Sequence, residues 1–253
     1  EEMKQLAELT GVPVITTIMG KGAIPSTHRL YLGNIGIHGS YAANHAVSEC
    51  DVLFSIGTRF NDRITGKISE FAKNAKIIHI DIDSASISKN IVVDIPIVAD
   101  AKLAIEKLLE YVTPLKNEKW VEQLMQWKEE YPITMENYEG LTPEKIIRYI
   151  NDHFEKPIVT PDVGQNQLWA TQYLKLEGGR SFLTSGGLGT MGYGFPAAIG
   201  AKIGNPDSTV IAISGDGGMQ MNIQELATAV ALELPLILIV LNNGYLGNVR
   251  QWQ

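Results

Sequence analysis

The 253-residue chain carries 21 Lys and Arg against 28 Asp and Glu, a formal net charge of −7, with 45% hydrophobic residues and one cysteine, Cys50. No block of Lys or Arg offers a nucleic-acid or anionic-membrane surface, and a lone thiol can form neither an intrachain disulfide nor a Cys-based metal site. A reducing, cytoplasmic setting fits, since no apolar run approaches the roughly 18 to 20 residues that cross a bilayer, and the length suggests two modest cores.

The stretch EEMKQLAELTGVPVITT already reads as a helix running into a strand, and NNGYLGNVRQWQ stops as a new helical pattern begins. The chain is therefore expected to be an internal piece of a longer one, in which no targeting segment can be judged. Short apolar runs at residues 12–17, 52–56 and 76–82 alternate with helix-length segments, the pattern of a parallel sheet. A helix at 100–111, with Leu103, Ile105, Leu108 and Leu109 on one broad face and Asp100 as its cap, closes a first domain at 1–112. Residues 113–141 read as a connector with one docked helix, where Trp120, Leu124, Trp127 and Tyr131 recur at helical spacing and are expected to be packing. The second domain, 142–253, begins with a helix to residue 154 and has strands at 157–160, 181–184, 209–214 and 236–241. The fold class expected is α/β, with two doubly wound parallel-sheet domains.

The chemistry-bearing stretch is SGDGGMQMNIQELATAVALELPLILIVLNNG, residues 214–244. Ligands of open parallel sheets gather outside the carboxyl ends of the strands, and Asp216 and Asn243 each follow an apolar strand. A carboxylate, an amide oxygen and a loop carbonyl such as that of Tyr245 are hard donors suited to Mg²⁺ or Ca²⁺. Mg²⁺ held by so few protein groups completes its shell with phosphate oxygens and water, so a phosphorylated ligand is implied. Gly215, Gly217 and Gly218 let the backbone approach it, and the helix that follows adds a partial positive end. GDG alone is ordinary turn chemistry; the asparagine pair, one helix and one strand later, gives it meaning.

GDG followed by NN, with residues 218–241 between them, resembles the metal and diphosphate motif of thiamin-diphosphate-dependent enzymes. TSGGLGTMGYGFPAAIGAK at 184–202 and IGTRFNDRITGKISEFA at 56–72 resemble, within that group, the acetolactate synthase (acetohydroxyacid synthase) large catalytic subunits, and the similarity runs through essentially the whole chain. The resemblance implies a central flavin-binding domain followed by most of the diphosphate-binding domain. It implies thiamin diphosphate, Mg²⁺ and FAD as cofactors, with Asp216, Asn243 and the Tyr245 carbonyl on the metal. Gln165, Asn166 and Gly247 would lie against the cofactor together with the three glycines. Many members have His where Asn166 stands, and the amide can donate a hydrogen bond but no proton near neutral pH. Met191 would be the apolar wedge that bends thiamin, and the Gly189 carbonyl would accept from its amino group; a polarizable Met beside a glycine-rich loop is compatible with both.

The implied reaction is decarboxylation of pyruvate and ligation of the two-carbon unit to pyruvate or 2-ketobutyrate, in branched-chain amino-acid biosynthesis. The activating glutamate belongs, in the family, to an N-terminal domain that this chain lacks, so the piece alone is expected to be inactive. Its supply from another subunit implies a homodimer or homotetramer, and a regulatory small subunit is a further expected partner. HGSYAANHAVSECDVLFSIGTR and DIDSASISKNIVVDIPIVAD match the flavin domain. There Gly57 allows close approach, Arg59 reaches a phosphate or flavin oxygen, and Asp81 stands where a ribose-binding acid belongs. Asp100 is read equally well as a helix cap, and His38 as a flavin contact or a loop histidine. Arg63 resembles the arginine directed at the second substrate's carboxylate, and Trp252 the tryptophan lining the substrate entrance. Asn61 departs from the usual aspartate, and Asn248 stands where many members carry Met.

Two other readings compete. Gly187, Gly189 and Gly192 have the spacing G-x-G-x-x-G of a nicotinamide dinucleotide enzyme, but Asp207 precedes the next strand and Asp216 is accounted for by the asparagine pair. A non-catalytic ligand module would keep the fold without the chemistry.

Overall fold

The computed structural model describes residues 1–253 as two compact units, one of residues 1–17 and 28–133, the other of residues 18–27 and 134–253. This division differs from the expected one at two places: the connector helix belongs to the first unit, and the short segment 18–27 to the second.

In chain order the first unit has helix α1 (Glu2–Thr10), strands β1 (Val14–Thr16) and β2 (Tyr31–Asn34), α2 (Tyr41–Glu49), β3 (Val52–Ile56), the short α3 (Asp62–Thr65), β4 (Lys76–Asp81), β5 (Ile95–Val98), α4 (Ala101–Leu109) and α5 (Glu118–Glu130). All pairing is parallel, in a two-stranded β1-β2 sheet and a three-stranded β3-β4-β5 sheet. Helix α2 starts where Ser40 Oγ accepts from the Ala43 N–H and donates to the Leu32 carbonyl, fixing it against β2. Gly33 must be glycine there: its φ is +111°, and a Cβ would lie 2.8 Å from Ser40 Oγ.

The aromatic stripe of α5 is packing, as its spacing implies. Leu124 is fully buried against Leu32, Ala42, Ala43 and Ala46, Trp120 and Trp127 meet edge to face at 6.0 Å, and Tyr131 stacks on Tyr41 at 4.0 Å. Helix α4 is capped by Asp100, whose Oδ1 accepts from the N–H groups of Lys102 and Leu103. Its apolar face is narrower than expected: Ile105 is buried, whereas Leu103 is 64% exposed.

The second unit has α6 (Pro143–His153), β6 (Ile158–Pro161), α7 (Gln165–Tyr173), α8 (Gly194–Gly204), β7 (Val210–Gly215), α9 (Asp216–Met221), α10 (Glu225–Ala231), β8 (Ile237–Leu241) and α11 (Gly247–Trp252). Its sheet is parallel with order β6-β7-β8. Ile211 and Ile213 pack with α6, α7 and β6, while Val210 and Ala212 face α8, α9 and α10. Helices therefore cover both faces, which is why residues 210–214 form an unbroken buried run. The strand expected at 181–184 is reduced to a bridge between Phe182 and Val159. The Val159 N–H donates to Ser181 and the Leu183 N–H to Val159, but Pro161 has no N–H for the next rung, and Thr184 Oγ1 donates to its carbonyl instead. No helix is long and apolar enough to cross a membrane.

Two buried charges shape this unit. Glu144, whose side chain is 3% exposed, accepts from Arg148 Nε and Nη2 at 2.9 and 2.7 Å, from Thr134 Oγ1 and from the Met135 N–H, pinning residues 134–135 to α6. Burial pushes its carboxyl up, but the Met135 and Arg148 contacts outweigh burial and hold it below the ordinary range. A depressed carboxyl contributes stability above its unfolded pKa that is lost as pH falls through the folded value. Glu144→Ala is expected to cost roughly 2 to 4 kcal/mol in urea denaturation at pH 7, with a smaller difference from wild type toward pH 3.

Lys21 is 7% exposed with no carboxylate in salt-bridge range, and burial pulls its ammonium down to about 8. The folded state binds this proton more weakly than the unfolded chain, so stability rises with pH between about 8 and 10.5. Lys21→Met should raise the denaturation midpoint at pH 7, by roughly 2 to 3 kcal/mol, with the gain vanishing above pH 10.5.

Candidate functional site

Four segments converge at the carboxyl end of the β6-β7-β8 sheet. Strand β6 leads through Asp162 into α7, β7 passes from Gly215 directly into Asp216 at the start of α9, and β8 runs into Asn242 and Asn243. Gly215 pairs with Leu241, so the carboxylate and the amide pair leave neighbouring strands at the same level. The fourth segment is the loop 185–193 that opens α8.

Side-chain contacts join them. Asn243 Nδ2 donates to Gln165 Oε1 at 3.1 Å, and Asn243 Oδ1 accepts from the Tyr245 N–H at 3.0 Å, which folds the loop after β8. Gln165 lies so close over Gly247 that any Cβ there would collide with it. A Cβ on Gly217 would sit 3.2 Å from Leu246 Cδ2 and 3.5 Å from Met191 Cε, so Met191 reaches the GDG turn from the opposite loop. Gly189 is left-handed at φ +68° with open space around it, and the Thr190 N–H is held by Ser185 Oγ at 3.1 Å. Asp216 is half-buried and makes no hydrogen bond or ion pair, so its carboxylate is uncommitted. Asn243 Oδ1 keeps one lone pair free, and together the two provide hard oxygen donors.

The Asn166 side chain is committed within the protein. It is 3% exposed, and its Nδ2 donates to the Asp162 carbonyl at 2.7 Å and the Ile213 carbonyl at 3.1 Å, tying β6 to β7. Both amide donors are spent on the backbone, leaving none for a diphosphate. Arg250 places its guanidinium 3.7 Å from the Tyr245 ring centroid, and Trp252 is 62% exposed on α11.

Asp162 is a buried residue at this sheet end that the sequence does not single out. It is 1% exposed, its Oδ1 accepts from the N–H groups of Val163 and Gly192 at 2.7 and 2.9 Å, and its Oδ2 from that of Gly194 at 2.8 Å. The signal was its place directly after a buried strand, where Asp216 stands after the next.

In the first unit, a cavity of about 430 Å³ opens at the carboxyl ends of β3 and β4, lined by Gly57, Arg59, Asp81, Asp83, Ser86 and Asp100 among others. Four of the expected residues thus share one pocket. Asp83 and Ser86 were not anticipated; they hydrogen-bond to each other at 3.0 Å. Three carboxylates beside one arginine suit hydroxyl donors along one wall and an anionic group near Arg59. Behind Asp81, His79 is fully buried with both ring nitrogens unpartnered, its Nε2 3.7 Å from Asp81 Oδ2; burial lowers its pKa, against the opposing pull of Asp81 and the Thr58 backbone. His38 and Arg63 lie outside that lining and near each other: the Ile37 N–H donates to the Arg63 carbonyl, and burial, then the Arg63 charge, lowers the His38 pKa.

Because Asn166 bridges two strands, Asn166→Ala should leave two buried carbonyls short of a donor. A loss of roughly 1 to 3 kcal/mol, read as a lower urea midpoint with an unchanged slope, is the expected outcome.

Residues 1–108 match the family described as thiamine pyrophosphate enzyme, central domain, and residues 162–253 the family described as thiamine pyrophosphate enzyme, C-terminal TPP binding domain. The whole chain is 48% identical to a probable acetolactate synthase large subunit of Methanocaldococcus jannaschii, covering 45% of it, and 46% identical to an acetolactate synthase large subunit of Cyanidium caldarium, covering 44%. It is 42% identical to the acetolactate synthase isozyme 3 large subunit of Escherichia coli strain K12, covering 46% of that protein. The chain thus spans less than half the length of these relatives. With both units matched in order, the chain belongs to the thiamine pyrophosphate enzymes, matching the family's central domain and then its C-terminal TPP binding domain.

Proposed function

We propose that the chain is the central and cofactor-binding part of an acetolactate synthase catalytic subunit, joining a two-carbon unit from pyruvate to a second 2-keto acid with release of carbon dioxide. The observation that carries this is the convergence of Asp216, Asn243, Gln165 and Met191 at one sheet end, in a chain similar throughout to acetolactate synthase large subunits.

The donor set fits a divalent cation with a diphosphate. Asp216 carries a free carboxylate, Asn243 a free lone pair, and the Tyr245 carbonyl lies in the turn that Asn243 closes, an all-oxygen set suited to Mg²⁺. Gly215, Gly217 and Gly218 leave room for phosphate oxygens, Gln165 and Gly247 border the same space, and the Gly189 carbonyl and Met191 would meet the aminopyrimidine and the bend of thiamin. When bound, thiamin diphosphate supplies the electron sink for decarboxylation. The second unit's own part would be to orient it and exclude water with Met191 and Leu246, with Trp252 at the substrate entrance; in the first unit, Arg63 carries a fork suited to the second keto acid's carboxylate.

The pocket of the first unit would take FAD, with ribose hydroxyls on Asp81, phosphate or flavin oxygen near Arg59, close approach at Gly57, Asp100 at the rim and His38 as a further flavin contact. The relatives' designation as large subunits supports a small regulatory partner, and a homodimer or homotetramer in the cytoplasm, serving branched-chain amino-acid biosynthesis, completes the proposal.

In the full-length chain carrying these residues, calorimetry should show thiamin diphosphate binding only with Mg²⁺ and no binding of NAD with or without it. Asp216→Ala should abolish that Mg²⁺-dependent binding. Unaltered affinity in this variant would overturn the metal assignment.

A further inference from the structure

A carboxylate that accepts three backbone N–H groups is at home on a surface loop. In a site 1% exposed, with no cation beside it, such a group is expensive to bury. Closing a loop requires no charge, since a backbone carbonyl or an asparagine would do it. What distinguishes Asp162 is its location.

Its Oδ1 holds the N–H of the Met191–Gly192 peptide and its Oδ2 the N–H of Gly194, so both bonds fall just after Met191. The next peptide is held from the other side, where Asn222 Nδ2 donates to the Gly192 carbonyl at 2.7 Å. Gly192 is left-handed at φ +88°, and a Cβ would lie 2.8 Å from Asn222 Nδ2, so nothing larger fits between the two clamps. The same Oδ1 abuts the turn of Asp216: a Cβ on Gly218 would stand 2.6 Å from it. One buried carboxylate therefore touches both the loop that carries Met191 and the helical turn that begins with Asp216.

We propose that Asp162 is a positioning residue that sets the distance between Met191 and the Asp216 turn, and hence how far the bound thiamin is bent between its diphosphate anchor and its apolar support. This rests on the thiamin diphosphate reading above. Asp162 touches neither substrate nor reacting atoms; it acts through Met191. Its removal leaves the anchor residues Asp216, Asn243 and Gln165 in place, so catalysis should suffer more than affinity.

The test is Asp162→Asn in the full-length chain, which keeps the shape but cannot satisfy all three N–H groups. In the cofactor-free protein, the Gly192 and Gly194 amides should exchange with deuterium at least roughly 10-fold faster than in wild type. With Mg²⁺ and thiamin diphosphate, kcat should fall roughly 10- to 100-fold while the cofactor Kd stays within about 3-fold. Met191→Ala, costly by itself, should cost less than about 3-fold more in the Asp162→Asn background. Full additivity of the two substitutions, or unchanged exchange at both glycines, overturns the proposal. Should Asp162→Asn not fold, Asn222→Ala releases the outer clamp and is held to the same split between kcat and Kd and the same non-additivity with Met191→Ala. The amide exchange needs no cofactor, so a failure of the cofactor reading, seen as no Mg²⁺-dependent binding even in wild type, stays distinguishable from a failure of the clamp.

Discussion

Strand β7 is enclosed on both faces, and the placement of the site follows from that enclosure. Residues 210–214 are at most 1% exposed, with α6 and α7 against one face and α8, α9 and α10 against the other. A one-residue slip would exchange Ile211 and Ile213 for Val210 and Ala212 and mispack two cores at once, so the register is strongly specified. The register with β8 then fixes Asp216 beside the asparagine pair, because both leave the sheet where Gly215 meets Leu241. Two apolar cores thus locate polar groups that contribute nothing to them. The open end of the sheet holds uncommitted donors because the buried part has no freedom left.

The second constraint is the handling of buried polar groups. Glu144 is surrounded by donors, Asp162 is held by three peptides, and Asn166 spends both amide hydrogens on β6 and β7. Glu144 and Asp162 tie loops to α6 and to the end of β6, and Asn166 ties the first turn of α7 to the sheet. Lys21 and His79 are different: one is buried without a counter-charge and the other has two unpartnered ring nitrogens. Groups of the first kind define structure, because leaving a partner unmade costs more than making it gains. Those of the second kind draw on the stability that the first provides.

Local patterning was enough to read β6, β7 and β8, the capping of α4 by Asp100 and the packing of the α5 aromatics, since each depends on neighbours one or two turns away. The placement of Asp216 and Asn243 at one sheet end was legible because strand ends in a parallel sheet are informative wherever they fall. Asp162 was not, because its meaning depends on the N–H groups of Gly192 and Gly194, thirty residues on, and next to its own strand it reads as a turn residue. Asn166 misled for a related reason: a helix-start amide beside a glycine looks ligand-facing until the carbonyls of Asp162 and Ile213 are seen to consume it. The segment 18–27 gave no sign of belonging with residues 134–253, although the Ser26 N–H donates to the Leu176 carbonyl and Ser26 Oγ accepts from the Leu176 N–H. The bridge at Phe182 was overcalled as a strand, and only Pro161 in the partner strand limits it.

A chain of net charge −7 whose family binds an anionic coenzyme has to solve the attraction locally. The two candidate pockets do so in opposite ways. In the first unit Arg59 is a fixed cation beside three aspartates that can only accept, a lining that would suit the proposed FAD with its hydroxyl donors and phosphate. In the second unit the carboxylates at the Asp216 turn are Asp216 itself and the buried Asp162, and Arg250 is engaged on the face of the Tyr245 ring. Two anions cannot share such a space in the absence of a cation, because their repulsion at close range is weakly screened there. The proposed seating of a diphosphate beside Asp216 therefore calls for a divalent ion between the two.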